Sequence, residues 1–595
     1  MIYGINPNYM KRVTSQFLLP DIKPEKGDGY DVYPSFPLSD GSLAMGHQKL
    51  YEAIAGNRIL ILEGYVGVDW TEVIAELESC FNSDGIECSS IDIRNYYKSQ
   101  KEISILIEPF LGGEDPVFGR KTDLDLRDYL DKEKLSKISD SGKVTIVFGS
   151  GASLCGLEGF LVYFDLPKNE LQYRMRANAI SNLGFNEPKD AIQAYKHFYF
   201  VDWVMLNKEK QRLISQVSLF VDQQRPGRPI FTSGNAVRKT LHQMAQSSFR
   251  VRPWFEPGVW GGSWMKDRFE GLNHDVPNYA WSFEMIVPEN GLLLEDKGLL
   301  FEVSFDTLMY LEGKNILGKA YSKFGTEFPI RFDFLDTYKG GNLSVQCHPS
   351  PGYIKEKFGE NFTQDETYYI LDCEPGAHVY LGFQATIDPD HFRKALEDSV
   401  LSKDLLNVED YIQKLPSKKH ELYLIPHGTV HCLGINNMVL EISATPYIYT
   451  FKMYDWQRLG LNGNPRPLNI DRAMHNLNFD RKGSEVTETL VSKPVLQEYG
   501  EWWEIIHLST HPDHFYDVIR CEFQNTVKVE TRDQCHLLML VEGSLIELEI
   551  ENHPPRTFHF AETFAVPAAA KSYRLINKEE KMAKVVVAFV KEDAC

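Results

Sequence analysis

A chain of 595 residues is too long for a single hydrophobic core and predicts about three domains. Hydrophobic residues make up 43% and charged residues 25%, an ordinary soluble composition with no apolar run long enough to span a bilayer. With 63 Lys and Arg against 83 Asp and Glu, the net charge of -20 repels nucleic acid and anionic membrane, so a phosphate-bearing ligand must find a local positive site.

The start, Met1-Ile2-Tyr3-Gly4, lacks a basic residue ahead of an apolar segment, so no signal peptide is expected. Nine scattered cysteines without a CxxC pair fit free thiols in the cytoplasm. Residues 1–245 alternate strands and helices. Asn57 to Glu63 is a buried strand, Gly64-Tyr65-Val66-Gly67 a turn, and Thr71 to Leu77 the start of a helix. A second apolar strand, Lys143 to Phe148, runs into Gly149-Ser150-Gly151, and a third, Gly159 to Leu166, precedes a helix with Arg174 and Arg176. That alternation predicts a parallel α/β sheet.

Strand, glycine turn and helix outline a phosphate-binding loop, and the region resembles a P-loop nucleoside- or sugar-kinase domain. Aligned on Gly64, however, the loop has Asp69 at the second glycine and Trp70 at the lysine, and Thr71 alone matches. An indole cannot supply the cation that lysine offers the β- and γ-phosphates, so an inactive structural or regulatory domain is expected, its arginines a solvated helix face. Pro188 to Phe249 reads as helical, with Gln224 to Pro229 an exposed turn.

From Trp260 to Tyr449 the pattern is short apolar strands broken by Gly, Pro, Asn and Asp, as in a β-sandwich. Phe332 to Asp336 alternates strictly and should precede the strand carrying Gln346 and His348. Those two, separated by one residue, share a strand face. Glu366, opening an apolar strand, and His431, after a glycine turn, could complete a mixed O/N donor set for zinc. His427 in the same turn is an alternative ligand. Helices are expected at Pro389 to Glu397 and near Val408 to Ile412.

The order QxHP (Gln346 to Pro349), Glu366 before an aromatic strand, and GTVHxxG (Gly428 to Gly434) resembles the type I phosphomannose isomerases, zinc-dependent cupin proteins. Trp260-Gly261-Gly262 and Met453-Tyr454-Asp455-Trp456-Gln457-Arg458 extend the resemblance over residues 250–595. It implies one zinc ion held by Gln346, His348, Glu366 and His431. It implies interconversion of mannose 6-phosphate and fructose 6-phosphate by enediol proton transfer. It also implies a place in carbohydrate metabolism. Two lysines usual in the family are absent: Gln364-Asp365 precedes the glutamate, and Arg331-Phe332-Asp333 stands in the strand before QxHP. Arg331 is expected to face away unless a bulge intervenes.

Glu441, among apolar neighbours, is the candidate acid–base group. Arg458 is the candidate phosphate anchor, with Lys452 a weaker one and Trp260 a possible approach residue. Beyond Asn462 to Pro467, a linker, the strands around Gln534 to Leu548 and Phe558 to Pro567 resemble a second cupin, without an HxH pair and with Ser572-Tyr573 where a closing histidine would stand. The expected architecture is thus an α/β domain (1–245), a metal-binding cupin (246–475) and a metal-free cupin (476–595). A non-catalytic sugar-phosphate sensor and a bifunctional kinase–isomerase are the rival readings.

Overall fold

The structure, a computed structural model, describes residues 12–25, 27, 29–140, 142–461 and 463–595. The start read for a signal peptide lies outside them, as does Asn462 of the linker. The chain forms two compact units. One comprises Ser35–Met244 and Pro288–Glu312 with the N-terminal segment up to Pro24, and the other Glu25–Pro34, Ala245–Val287 and Gly313–Cys595. Pro288–Glu312, which the sequence reading put in the metal-binding domain, therefore packs with the first unit. The cause is pairing: Gly291–Asp296 runs parallel to Ser35–Pro37 and antiparallel to Leu299–Ser304.

The first unit is built on a seven-stranded sheet in the order Ala44–Met45, Ile230–Ser233, Leu219–Asp222, Phe160–Asp165, Ile59–Gly64, Val144–Phe148, Cys88–Asp92. The last five are mutually parallel, as βα alternation requires. Leu60, Leu62, Ile146, Val162 and Phe164 meet Val73, Leu77 and Phe81 of the helix Trp70–Ser83 in one core. Trp70 belongs to that core, its ring 5.2 Å from that of Phe164. A Cβ at Gly64 would meet it at 2.8 Å.

Three expectations for this unit are corrected. Leu219–Asp222 and Ile230–Ser233 are strands inside the region read as helical. The connection at Gln224 to Pro229 is a turn, but Arg225 is fully buried, 2.8 Å from Asp222. Arg174 lies on no solvated face: it is 1% exposed and bonds Glu170 and the carbonyls of Gly67, Gln223 and Gln224. A buried guanidinium needs about five acceptors, which the Glu170 carboxylate and backbone carbonyls from other elements supply here.

The second unit contains two pairs of sheets. The first pair is a six-stranded sheet, Leu422–Ile425, Glu366–Cys373, Asn437–Ala444, Ile330–Asp336, Trp281–Met285, Trp254–Glu256, and a five-stranded sheet, Ile412–Pro416, His378–Phe383, His431–Leu433, Val345–Cys347, Phe451–Tyr454. The second pair has six and four strands. Ile519, Cys521, Leu538, Phe564 and Val587 of its larger sheet and Val527, Ile546, Phe558 and Leu575 of its smaller one fill a single apolar core. The chain is therefore multidomain and rich in β-sheet. The helices at Pro389–Ser402 and Val408–Asp410 lie where the sequence puts them. Among the described residues, no helix is long and apolar enough to cross a membrane.

Candidate metal centre

The first pair of sheets brings the predicted donors together. Gln346 and His431 face each other as cross-strand partners on the five-stranded sheet, their Nε2 atoms 3.2 Å apart. His348 follows Cys347 at the strand end. Glu366 comes from the six-stranded sheet, where it pairs with Ser443 and Ile425. His348, Glu366 and His431 are all buried, with one donor atom each within 4.8 Å of the others.

The hydrogen-bond pattern shows what this group lacks. His348 Nδ1 lies 3.1 Å from the Tyr449 carbonyl and His431 Nδ1 lies 2.9 Å from the Thr429 carbonyl. A carbonyl only accepts, so each imidazole carries a proton on Nδ1 and, as the neutral ring, turns an Nε2 lone pair inward. There His348 Nε2 stands 3.0 Å from Glu366 Oε1, and His431 Nε2 stands 3.5 Å from Glu366 Oε2. Acceptors thus face acceptors, and His348 Nε2 and Glu366 Oε2 have no hydrogen-bond partner. Buried acceptors left in this way are costly unless a cation lies between them. Two imidazoles, a carboxylate and the Gln346 amide fit a borderline divalent ion such as zinc, and carbonyls on both Nδ1 atoms are the outer contacts such a site uses.

Beside the donors sits a charged network not foreseen from sequence. Arg331 is 4% exposed. Its Nε donates to Ser443 Oγ at 2.6 Å, its Nη1 lies 3.2 Å from Asp333, and its Nη2 bonds Glu441 and lies 3.6 Å from Glu366. The expectation that Arg331 faces away is wrong. The strand Ile330–Asp336 pairs continuously with Asn437–Ala444, Arg331 opposite Ser443 and Asp333 opposite Glu441, so all four share one face without a bulge. Burial pushes Glu441 well above the usual carboxylate range, the nearby Glu366 charge adding to it and Arg331 opposing. Burial likewise raises Asp333 to about 7, against Arg331. Arg331 thus places a buried cation beside the donors.

The other predicted residues are placed less uniformly. Lys452 lies directly opposite Gln346 on the next strand. Burial, with help from Arg466 and against Asp455, pulls its pKa down to about 8. Arg458 is held by Asp455 at 2.7 Å and by the Asn342 carbonyl at 2.5 Å. Trp260 forms no approach loop: it is 1% exposed and packs edge-on to Trp281 at 4.7 Å. His427 turns from the donors to Asp365, 2.9 Å from its Nδ1. Arg481, beyond the linker, bonds the Pro426 carbonyl at 3.1 Å, the His427 carbonyl, and Thr429 Oγ1 at 2.8 Å, clamping the turn that delivers His431. No local motif marks Arg481. For Arg331 the signal was its alternation with Asp333.

A family model described as a domain of unknown function, DUF8485, matches residues 46–246. Among curated proteins, mannose-6-phosphate isomerase of Streptococcus mutans is 26% identical over 261 residues, 42% of this chain and 75% of that protein. Mannose-6-phosphate isomerase ManA of Bacillus subtilis is 23% identical over 38% of this chain and 65% of its own length. The crystal structure of a mannose 6-phosphate isomerase from Bacillus subtilis aligns over 58% of this chain and 99% of its own, with 19% identity and a TM-score of 0.45. A zinc-bound mannose 6-phosphate isomerase aligns over 58% and 100% with 13% identity and a TM-score of 0.45. Over about 42% of its length, the chain is homologous to mannose-6-phosphate isomerases.

Proposed function

We propose that the second unit is a zinc-dependent aldose–ketose isomerase that interconverts mannose 6-phosphate and fructose 6-phosphate. The observation that carries this reading is the buried His348–Glu366–His431 group, whose facing acceptors call for a cation, set beside Glu441 on the same sheet face as Arg331. Gln346, His348, Glu366 and His431 would hold the ion, which when bound would supply positive charge at the C1 and C2 oxygens of the sugar. Glu441 takes the proton from C2 of the aldose and returns it to C1, passing through an enediol, while a hydroxyl proton moves from O2 to O1. Arg331 and Ser443 hold the Glu441 carboxylate in place. Lys452, beside Gln346, and Arg458 are the positive groups proposed for the phosphate. Nine unpaired cysteines support a cytoplasmic setting.

One observation favours a rival. Glu441 is tied to Arg331, whose charge offsets part of the rise in its basicity, which suits a sensor that retains the metal without turnover. A coupled assay with mannose 6-phosphate and added zinc separates the two. Turnover that a chelator abolishes and zinc restores supports the isomerase. A fully metal-loaded protein without turnover leaves the sensor.

A further inference from the structure

The unit built on the parallel sheet carries a cavity of about 600 Å³ with no part in the proposed isomerisation. Its position follows from topology. Ile59–Gly64 and Val144–Phe148 lie side by side. The chain leaving the first moves to the Cys88–Asp92 edge, whereas the chain leaving the second crosses back to Phe160–Asp165. Neighbouring strands whose connections diverge leave a crevice beyond their carboxyl ends. The cavity lies there, lined by residues from 66–71, 92–100 and 179–186, with Ser150.

In a phosphate-binding loop of this outline, free backbone N–H groups and a lysine hold the anion. Here those positions are occupied from within. The Asp69 carboxylate caps the helix by accepting from Glu72 N at 3.1 Å, and Trp70 turns into the core. Buried Glu63 accepts from the N–H groups of Gly151 at 2.8 Å and Ser153 at 3.0 Å, which fills the second glycine turn. Arg94 is paired with Asp92 at 2.6 Å, and Lys98 donates to the Asp128 carbonyl at 2.6 Å. Two carboxylates, Asp69 and Asp92, thus balance two cations on the wall. A phosphate dianion would meet both carboxylates and no unpaired arginine.

What the wall offers instead is neutral hydrogen bonding. Asn95, Gln100 and Asn186 are exposed at its edge, and Asn182 and Ser150 are buried behind them. Each amide presents a donor and an acceptor side by side, the complement of neighbouring hydroxyl groups. Asn182 Nδ2 is held by Asp202 at 2.9 Å, while its Oδ1 has no hydrogen-bond partner. Two rings of the wall are held by contacts of their own: Tyr97 sits edge-on to Tyr129 with its hydroxyl on the Ser150 carbonyl, and Phe185 sits edge-on to His197.

We propose that this cavity binds an uncharged, polyhydroxylated ligand of hexose or disaccharide size, which makes the first unit a sugar-binding module. The volume falls within the range of small-molecule pockets. Isothermal titration of the full-length, zinc-loaded protein with D-mannose, D-glucose, maltose, hexose 6-phosphates, adenosine and Mg-ATP tests this. At least one neutral sugar should bind with a Kd of about 1 mM or tighter. The double variant Asn186→Ala, Gln100→Ala should weaken it at least about tenfold with an unchanged Tm. His348→Ala, which targets the metal centre, should leave it intact. The proposal is overturned if no neutral sugar binds, or if adenosine, Mg-ATP or a hexose 6-phosphate binds more tightly and loses that binding in the double variant. Sugar binding lost in His348→Ala and kept in the double variant would assign the ligand to the metal centre and overturn it equally.

Discussion

With Nδ1 committed to the Tyr449 carbonyl, the neutral His348 ring turns a bare Nε2 toward Glu366. Purified without chelator, the protein should therefore carry about one divalent ion per chain. Folded His348→Ala and His431→Ala proteins should lose it, and metal analysis showing unchanged content would refute the donor set. Glu441→Gln should lower kcat by about 10²-fold or more with little change in KM, as for a group acting mainly in the transition state. Full activity in that variant would move the base elsewhere. Lys452, with its pKa drawn down to about 8, is charged below that value and neutral above it. Its folded value lies below the unfolded one, so its charging opposes folding below about pH 8, and stability recovers as pH rises toward the unfolded value. A phosphate contact needs the charged form. KM for mannose 6-phosphate should rise as pH passes through about 8, and Lys452→Met should flatten that rise. An unchanged profile would remove Lys452 from phosphate binding.

At the scale of elements, His431 depends on a turn with little freedom. Gly428 sits at φ +76°, and a Cβ there would meet the Asn476 carbonyl at 2.6 Å. Arg481 secures the same turn through two carbonyls and Thr429, while its other nitrogen lies 3.1 Å from Asp513. Arg481→Ala should weaken zinc binding by about 10- to 100-fold while circular dichroism stays unchanged, the size expected when a ligand's outer support is lost. Equal zinc affinity in wild type and variant would show that the turn holds itself. The Ile330–Asp336 strand poses the reverse case. It is buried along its length, and Arg331 is its cation among Asp333, Glu441 and Glu366. Arg331→Met should cost about 3–5 kcal/mol in urea unfolding, because it strands buried carboxylates.

For the whole molecule, the two units carry the two separate proposals. With Asp69 capping the helix and Trp70 in the core, the first unit should not transfer phosphate from ATP. A kinase screen over sugars and nucleosides should show no turnover, and activity that vanishes on changing Thr71 would overturn this. Three of the parallel strands in that unit, Ile59–Gly64, Val144–Phe148 and Phe160–Asp165, were readable because each is an apolar run, the first two closed by glycine. Leu219–Asp222 and Ile230–Ser233 were not, since they are short and flanked by helical patterns.

The sequence alone determined the βα alternation of the first unit, the strand-rich second unit, and a donor set that the folded chain gathers within 4.8 Å for His348, Glu366 and His431. Those features depend on local periodicity and on residue types whose chemistry is intrinsic. Three matters were decided only by tertiary structure. Arg331 faces the centre because strand register, not its own position, sets its direction. Pro288–Glu312 joins the first unit because its pairing partner is Ser35–Pro37, far away in the chain. Arg458 bonds the Asn342 carbonyl and Trp260 packs against Trp281, contacts that no spacing encodes. Periodicity reports which face a side chain shares with its neighbours along one strand. It carries no information on which strand, carboxylate or ring from elsewhere will lie against that face.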